Sequence, residues 1–139
     1  MLIGEYFPSI DAKGRVNFPS RLREDLGESF IITKGLDNCL FVYCLSDWRE
    51  LAEKTKALPT SKARNIQRFF FAGAFEAIPD KQGRVSIPQN LREYAGLTSD
   101  IVIVGVSARA EIWDLERWNK SNAELTSESI AETMDELGF

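Results

Sequence analysis

The chain of 139 residues contains no histidine. Histidine is the commonest general base and a frequent metal ligand near neutral pH, so its absence weighs against acid–base and metal catalysis. The nucleophile-elbow, phosphate-loop and zinc-protease motifs are also missing from the sequence. These absences predict a protein that is not an enzyme and that uses no cofactor, metal ion or small-molecule substrate.

Cysteine is scarce, with only Cys39 and Cys44 in the whole chain. Two thiols without histidine do not complete a structural zinc site, which normally has four ligands. Free cysteines are commonly buried as small hydrophobic side chains. We therefore expect two reduced, inert thiols, as in a reducing compartment.

Long hydrophobic segments are also missing. Apolar runs such as residues 69–72 are far shorter than the roughly 20 residues that a transmembrane helix needs. The N-terminus lacks the basic region and apolar segment of a signal peptide. With 44% hydrophobic and 27% charged residues, the composition is typical of a soluble globular protein. We expect a cytoplasmic protein without a membrane partner.

The formal net charge of −4 is unevenly distributed. The last 20 residues hold five acids and one lysine, whereas residues 11–23 contain four positive residues and one negative residue. A local basic strip can bind a polyanion even in a near-neutral protein, because phosphate contacts respond to the local field. Charge alone does not predict DNA binding here.

The most prominent feature that the sequence does contain is an internal repeat. Residues 11–19 read DAKGRVNFP, and residues 80–88 read DKQGRVSIP, 69 positions later. The tripeptide LRE follows at 22–24 and again at 91–93. A unit of about 70 residues buries too little surface to be stable by itself. Two such halves are therefore expected to share one core.

Each copy predicts a strand, a turn, a second strand, a short helix and a further strand pair. Aspartate folds back on its own backbone in turns and glycine accepts a positive φ, while proline suits the first turn of a helix. In the first copy we expect strands at 5–7, 15–18, 30–32 and 40–43, a turn at 11–14 and a helix at 20–26. In the second we expect strands at 75–78, 84–87, 101–104 and 111–113, a turn at 80–83 and a helix at 89–95.

Two helices are expected between the copies, with Ser46 and Thr60 as candidate N-caps. The acidic stretch 127–137 is expected either as an amphipathic helix or as a segment that orders only on binding. The fold class is mixed α/β, with pseudo-twofold duplicated strand-turn-strand-helix units forming a small barrel-like sheet and helices packed outside. The expected division is a first half at 5–48, a helical connector at 49–73, a second half at 74–119 and an acidic tail at 120–139.

The repeated turns allow two interpretations. In the structural one, Asp11 pairs with Arg15, Asp80 pairs with Arg84, and the glycines only supply a positive φ. In the functional one, the turns present cations to a duplex, since a β-ribbon can enter the major groove and arginine can bind guanine. The candidate DNA-binding residues are Lys13, Arg15, Arg21, Arg23, Lys81, Arg84 and Arg92.

The paired D-x-x-G-R-x-x-x-P motifs, each followed by LRE, resemble those of the MraZ family over about residues 1–120. Proteins of that family consist of two SpoVT-AbrB-type, swapped-hairpin-like halves. The resemblance implies a nucleoid-associated, DNA-binding transcriptional regulator that assembles into a homo-oligomeric ring. It also implies binding to short repeated boxes upstream of its own operon, the division and cell-wall gene cluster.

Carried over to this chain, the resemblance gives Arg15 and Arg84 the main role in binding double-stranded DNA. The residues that would shape the turns are Asp11, Gly14, Asp80 and Gly83. Gln82 stands where the first copy has Lys13, and Lys81 lies one position earlier. The alternative is a protein-binding, antitoxin-like or assembly module with no DNA role.

Overall fold

The computed structural model describes all 139 residues, Met1–Phe139. The elements follow in the order β1 (Leu2–Tyr6), β2 (Arg15–Asn17), α1 (Ser20–Leu26), β3 (Phe30–Lys34), β4 (Leu40–Cys44), α2 (Leu45–Lys56), α3 (Thr60–Ile66), β5 (Phe75–Ala77), β6 (Arg84–Ser86), α4 (Gln89–Ala95), β7 (Ile101–Ser107), β8 (Ala110–Asp114), α5 (Leu115–Asn122) and α6 (Ser127–Leu137). A π-helical segment, Gln67–Phe71, continues α3. The mixed α/β class and the order of elements in each copy are confirmed, with ends that differ by up to three residues.

The expected helix caps are wrong in detail. Ser46 lies inside α2, whose N-cap is Cys44, and Thr60 is the first residue of α3, whose N-cap is Pro59. Neither helix has a side-chain hydrogen bond at its N-cap. The expected boundaries at 48/49 and 119/120 fall within α2 and α5, so each half runs without a break into the helix that follows it.

Six strands form one antiparallel sheet in the order β1-β7-β8-β4-β3-β5, and β2 and β6 form a separate two-stranded ribbon. Each half gives its first strand to the other half, since β1 pairs with β7 and β5 pairs with β3. The expected barrel-like closure is wrong. Closure would require β1 to pair with β5, but four strands separate them and leave both as free edges.

One core of 19 buried residues joins the two halves. It lies on the face of the sheet that is covered by the ribbon, α1 and α4. Leu22 and Leu26 of α1 are buried there, as are Leu91 and Ala95 of α4. The short helices thus hold the ribbon and its turns against the sheet.

A smaller cluster lies on the opposite face of the sheet, where α2, α5 and the π-helical segment pack outside. It contains Cys39, Phe41, Val102, Val104 and Trp113. The Cys39 Sγ donates to the backbone oxygen of Leu36 at 3.1 Å, and burial raises the pKa of this thiol to about 12. Both cysteines are free. Cys39 therefore carries a protonated thiol at neutral pH.

Candidate nucleic-acid interface

The two repeated turns have the same hydrogen-bonded geometry. Asp11 Oδ1 accepts hydrogen bonds from the backbone N–H groups of Lys13 and Arg15, both at 2.9 Å. Asp80 Oδ1 accepts from Gln82 and Arg84 at 2.9 and 2.8 Å. Each carboxylate therefore closes its turn from inside, in the manner of an Asx turn.

The arginine that follows each turn both pairs with the aspartate and stays accessible. Arg15 Nε donates to Asp11 Oδ2 at 2.7 Å, and Arg84 Nε donates to Asp80 Oδ2 at 2.9 Å. The two arginine side chains are 34% and 36% exposed. A guanidinium carries five N–H donors, and the terminal nitrogens of both groups make no hydrogen bond within the chain. The aspartate thus orients each arginine through one donor and leaves four for a ligand.

The turn hydrogen bonds also set the charge of the aspartates. The Arg15 backbone N–H, followed by its guanidinium, holds the pKa of the Asp11 carboxyl below its usual value. The Arg84 backbone N–H does the same for the pKa of Asp80. Both carboxylates are therefore ionised at neutral pH, and each offsets part of the positive charge of its arginine.

Strand pairing places the two arginines on one face. In the β2–β6 ribbon, Val16 lies opposite Val85, Arg15 opposite Ser86 and Asn17 opposite Arg84. Alternate side chains of a strand point to opposite faces, and both valines are buried in the core. The arginines therefore point outward as diagonal neighbours, about 7–8 Å apart at their Cα atoms.

Asn17 and Ser86 lie on this same outward face, and both are exposed. Sequence reasoning missed them. The period-two spacing from each arginine, Arg15-x-Asn17 and Arg84-x-Ser86, was visible, but only the register of the ribbon shows that all four share a face. Glu76 of β5 and Asp80 line the adjoining surface depression together with both arginines, so two acids lie beside the two cations.

Three further cations surround the ribbon. Lys13, Lys81 and Arg21 are exposed, and none forms an ion pair within the chain. Lys13 and Gln82 occupy equivalent positions, since the N–H of each bonds to the turn aspartate. Lys81 lies one residue earlier. The two turns thus present a lysine from different positions.

Arg23 and Arg92 have a different environment from the other candidates. Both are half-buried and form no ion pair within the chain. Arg23 Nε donates to the backbone oxygen of Phe18 at 3.0 Å, and Arg92 Nε donates to that of Ile87 at 2.9 Å. These carbonyls belong to the residues that follow the ribbon strands, so each arginine fixes the start of its own helix against the strand before it.

The same two arginines reach across to the turn of the other half. An ideal Cβ placed on Gly14 would lie 2.8 Å from Arg92 Nε, and one placed on Gly83 would lie 2.8 Å from Arg23 Nη2. Both glycines have a positive φ, +81° and +80°. Glycine is therefore needed in each turn for the backbone conformation and for the room that the arginine occupies.

Backbone hydrogen bonds also connect each turn to the other half of the chain. The N–H of Phe18 donates to the Gly83 oxygen at 2.8 Å, and the N–H of Ile87 donates to the Gly14 oxygen at 2.9 Å. Each turn is therefore fixed by its own aspartate and by two groups of the other copy, the backbone N–H at the end of the ribbon strand and the arginine of the short helix. The two turns form one rigid surface.

No group of three acidic or cysteine side chains comes together that could hold a metal ion. None of the helices combines the length and apolar character needed to cross a bilayer.

Comparison with known proteins also finds the chain matched in two consecutive parts. The family described as "MraZ protein, putative antitoxin-like" matches the chain twice, over residues 1–69 and 70–137. Curated proteins named Transcriptional regulator MraZ from Caldicellulosiruptor saccharolyticus, Acetivibrio thermocellus and Clostridium tetani are 59%, 57% and 56% identical to it. Each alignment covers 100% of this chain and 100% of the relative. With the repeated turns, the shared core and these full-length matches, the chain belongs to the MraZ family.

Proposed function

We propose that the protein is a sequence-specific, DNA-binding transcriptional regulator and not an enzyme. The observation that carries this proposal is the outward face of the β2–β6 ribbon. Arg15 and Arg84 lie there side by side, each oriented by an aspartate and each with unused terminal N–H groups. A two-stranded ribbon fits the major groove of B-DNA. The names of the curated relatives support the same function.

The side chains of this face have different roles in the proposed complex. Arg15 and Arg84 read guanine, because a planar guanidinium matches the O6 and N7 acceptors. Asn17 is placed to read an adjacent adenine through its amide. Lys13, Lys81 and Arg21 bind phosphates and fix the register of the ribbon without reading bases.

Arg23 and Arg92 contribute to DNA binding indirectly in this proposal. Their Nε atoms are used by backbone carbonyls, and their guanidinium groups lie against the glycines of the opposite turns. They act as positioning residues, and each one supports the turn of the other half.

The proposed targets are short repeated boxes upstream of the protein's own operon, the division and cell-wall gene cluster. A homo-oligomeric ring in the cytoplasm, associated with the nucleoid, would present several ribbons to such repeats. Linked sites raise overall affinity without new contacts when their spacing matches. Double-stranded DNA and further copies of the chain are the partners, with no membrane and no small-molecule substrate.

The test is a gel-shift and footprinting experiment on DNA from upstream of the protein's own gene. The wild-type protein is expected to protect repeated boxes, and Arg15→Ala and Arg84→Ala are expected to abolish protection. Arg49→Ala is the matched control, because it removes an exposed arginine on α2, away from the ribbon. Unchanged affinity in both ribbon variants would contradict the proposal.

A protein-binding, antitoxin-like module without a DNA role is the second candidate, and the family description favours it. Exposed apolar side chains such as Ile3, Phe7 and Ile78 could serve a protein interface. A salt titration separates the two. DNA binding weakens by about 0.9 in log affinity per phosphate for each tenfold rise in salt. A protein-binding module has no saturable DNA affinity at any salt concentration.

A further inference from the structure

The C-terminal helix α6 packs against nothing in the protomer. Every residue from Asn122 to Phe139 is exposed except Ser129. The helix has a capping box, in which Thr126 Oγ1 and Ser129 Oγ each accept the other residue's backbone N–H at 3.1 Å. A helix of 11 residues is marginal in water without tertiary packing. A partner that covers α6 would supply that packing.

One face of α6 is apolar and uncovered. Ile130, Met134 and Leu137 follow one another at helical spacing and are 43%, 42% and 71% exposed. Leu125 and Phe139, at either end, are also exposed. An exposed apolar stripe bordered by charged residues is typical of a protein interaction surface.

The charge of the C-terminal segment indicates the kind of partner. Between positions 124 and 136 the chain has five acids and no basic residue: Glu124, Glu128, Glu132, Asp135 and Glu136. All five are exposed, and none forms an ion pair within the protomer. This charge repels DNA and anionic lipid and favours a basic protein surface.

The chain itself carries the complementary surface. Between positions 54 and 68, from the end of α2 through α3 to the start of the π-helical segment, it has five basic residues and no acid: Lys54, Lys56, Lys62, Arg64 and Arg68. All are exposed, and only Lys56 has an ion-pair partner, Glu53 at 3.0 Å. Leu58, between the two helices, is 41% exposed and offers an apolar contact. We call residues 54–68 the basic hairpin.

We propose that α6 of one copy packs on the basic hairpin of a neighbouring copy. Within one protomer both surfaces remain exposed, so the occupant is a second chain. In the proposed arrangement each copy gives its α6 to one neighbour and receives the α6 of another, so the contact is head-to-tail and passes from copy to copy. Such a contact closes into a ring when the rotation between copies allows it. The inference rests on the proposed homo-oligomer and identifies its interface.

The basic turn surface is a less suitable receptor for α6. Residues 11–23 also carry four positive charges. However, their large apolar side chains, Val16, Phe18 and Leu22, are buried in the core. Residues 11–23 therefore expose no large apolar side chain of their own to cover the stripe of α6, whereas the basic hairpin exposes Leu58.

Reciprocal charge reversal tests the interface. One variant carries Glu128→Lys and Glu132→Lys, and a second carries Lys62→Glu and Arg64→Glu. Because all four side chains are exposed, both variants should still fold and unfold cooperatively, and the circular dichroism spectrum should lose at most the helical signal of α6. Each is expected to lose assembly in analytical ultracentrifugation. A chain with all four changes, or an equimolar mixture of the two variants, should assemble again, since opposite charges then face each other at every contact.

Two results would overturn the inference. One is wild-type assembly by both variants, and the other is the failure of the four-fold variant and the mixture to reassemble. The DNA experiment is separate. Removal of residues 124–139 should abolish assembly but leave binding to a single box unchanged or slightly stronger, because it removes only negative charge. Arg15→Ala should do the reverse, losing DNA while still assembling, so failure of either proposal leaves the other testable.

Discussion

A methyl group at Gly14 provides a direct test of the crossed arginine packing. The residue has φ = +81°, and an ideal Cβ there would lie 2.8 Å from Arg92 Nε and 2.9 Å from its Cζ. Left-handed backbone costs about 1–2 kcal/mol for alanine. Displacing the guanidinium also breaks its hydrogen bond to the Ile87 oxygen, a net loss of about 1 kcal/mol. Gly14→Ala is therefore expected to lower the free energy of unfolding by about 2–3 kcal/mol.

A double-mutant cycle separates the two costs. In an Arg92→Ala background the guanidinium is already gone, so Gly14→Ala should keep only the backbone cost of about 1–2 kcal/mol and the close contact of its Cβ with the Ile87 oxygen, at 3.0 Å. The two changes together should then destabilise the protein by about 1 kcal/mol less than the sum of the single changes. Arg23→Ala is the matched control, because Arg23 packs on Gly83 and not on Gly14. Its cycle with Gly14→Ala should be additive.

The assay is chemical denaturation followed by circular dichroism, with all variants at one protein concentration. A coupling of about 1 kcal/mol corresponds to roughly 3–5 °C in melting temperature for a chain of this size. Additive effects of Gly14→Ala and Arg92→Ala would refute the crossed packing. Equal coupling of Gly14 to both arginines would refute it as well.

Three further predictions concern the turns and the thiols. Lys13→Ala should weaken binding equally for all DNA sequences. It should also reduce the slope of log affinity against log salt concentration by about 0.9 per bound copy, and an unchanged slope would exclude a phosphate contact. The pKa of Asp11 and the pKa of Asp80 in the folded protein both lie below the ordinary value of 3.8. The ionised carboxylates therefore stabilise the fold above pH 3.8, and this stabilisation is lost as the pH falls through the lowered pKa. The denaturant concentration at which half the protein is unfolded should decrease when the pH is lowered below about 4. The double variant with Asp11→Asn and Asp80→Asn should show a smaller decrease, and an equal decrease in that variant would contradict the prediction. In the native protein at pH 8 a thiol reagent should modify Cys44 well before Cys39, whose burial raises its pKa to about 12, and equal rates would count against the buried thiol.

The local elements could be predicted because their signals lie close together in the chain. The helix Ser20–Leu26 begins after Pro19 and ends before Gly27, as expected. The turn at residues 11–14 could likewise be placed from its aspartate and glycine alone. These features depend on backbone preferences within a few residues.

The non-local features could not be predicted in this way. Pairing of β2 with β6 joins strands 69 residues apart, and its register brings Asn17 and Ser86 to the face of the arginines. The sequence also places Arg23 and Arg92 within their own halves, whereas the fold crosses them to the opposite turns. Pairing and register are decided by which faces are buried in the common core, and local propensity does not contain that information.

The most direct measurement of the central claim is guanine-N7 methylation interference on a protected box, with wild-type protein and Arg15→Ala. If the outward arginines of the ribbon read guanine through O6 and N7, methylation of specific guanines blocks wild-type binding. Arg15→Ala should give no complex with either the methylated or the unmethylated box. Wild-type binding that is indifferent to N7 methylation, or binding of the unmethylated box by Arg15→Ala, would contradict the account.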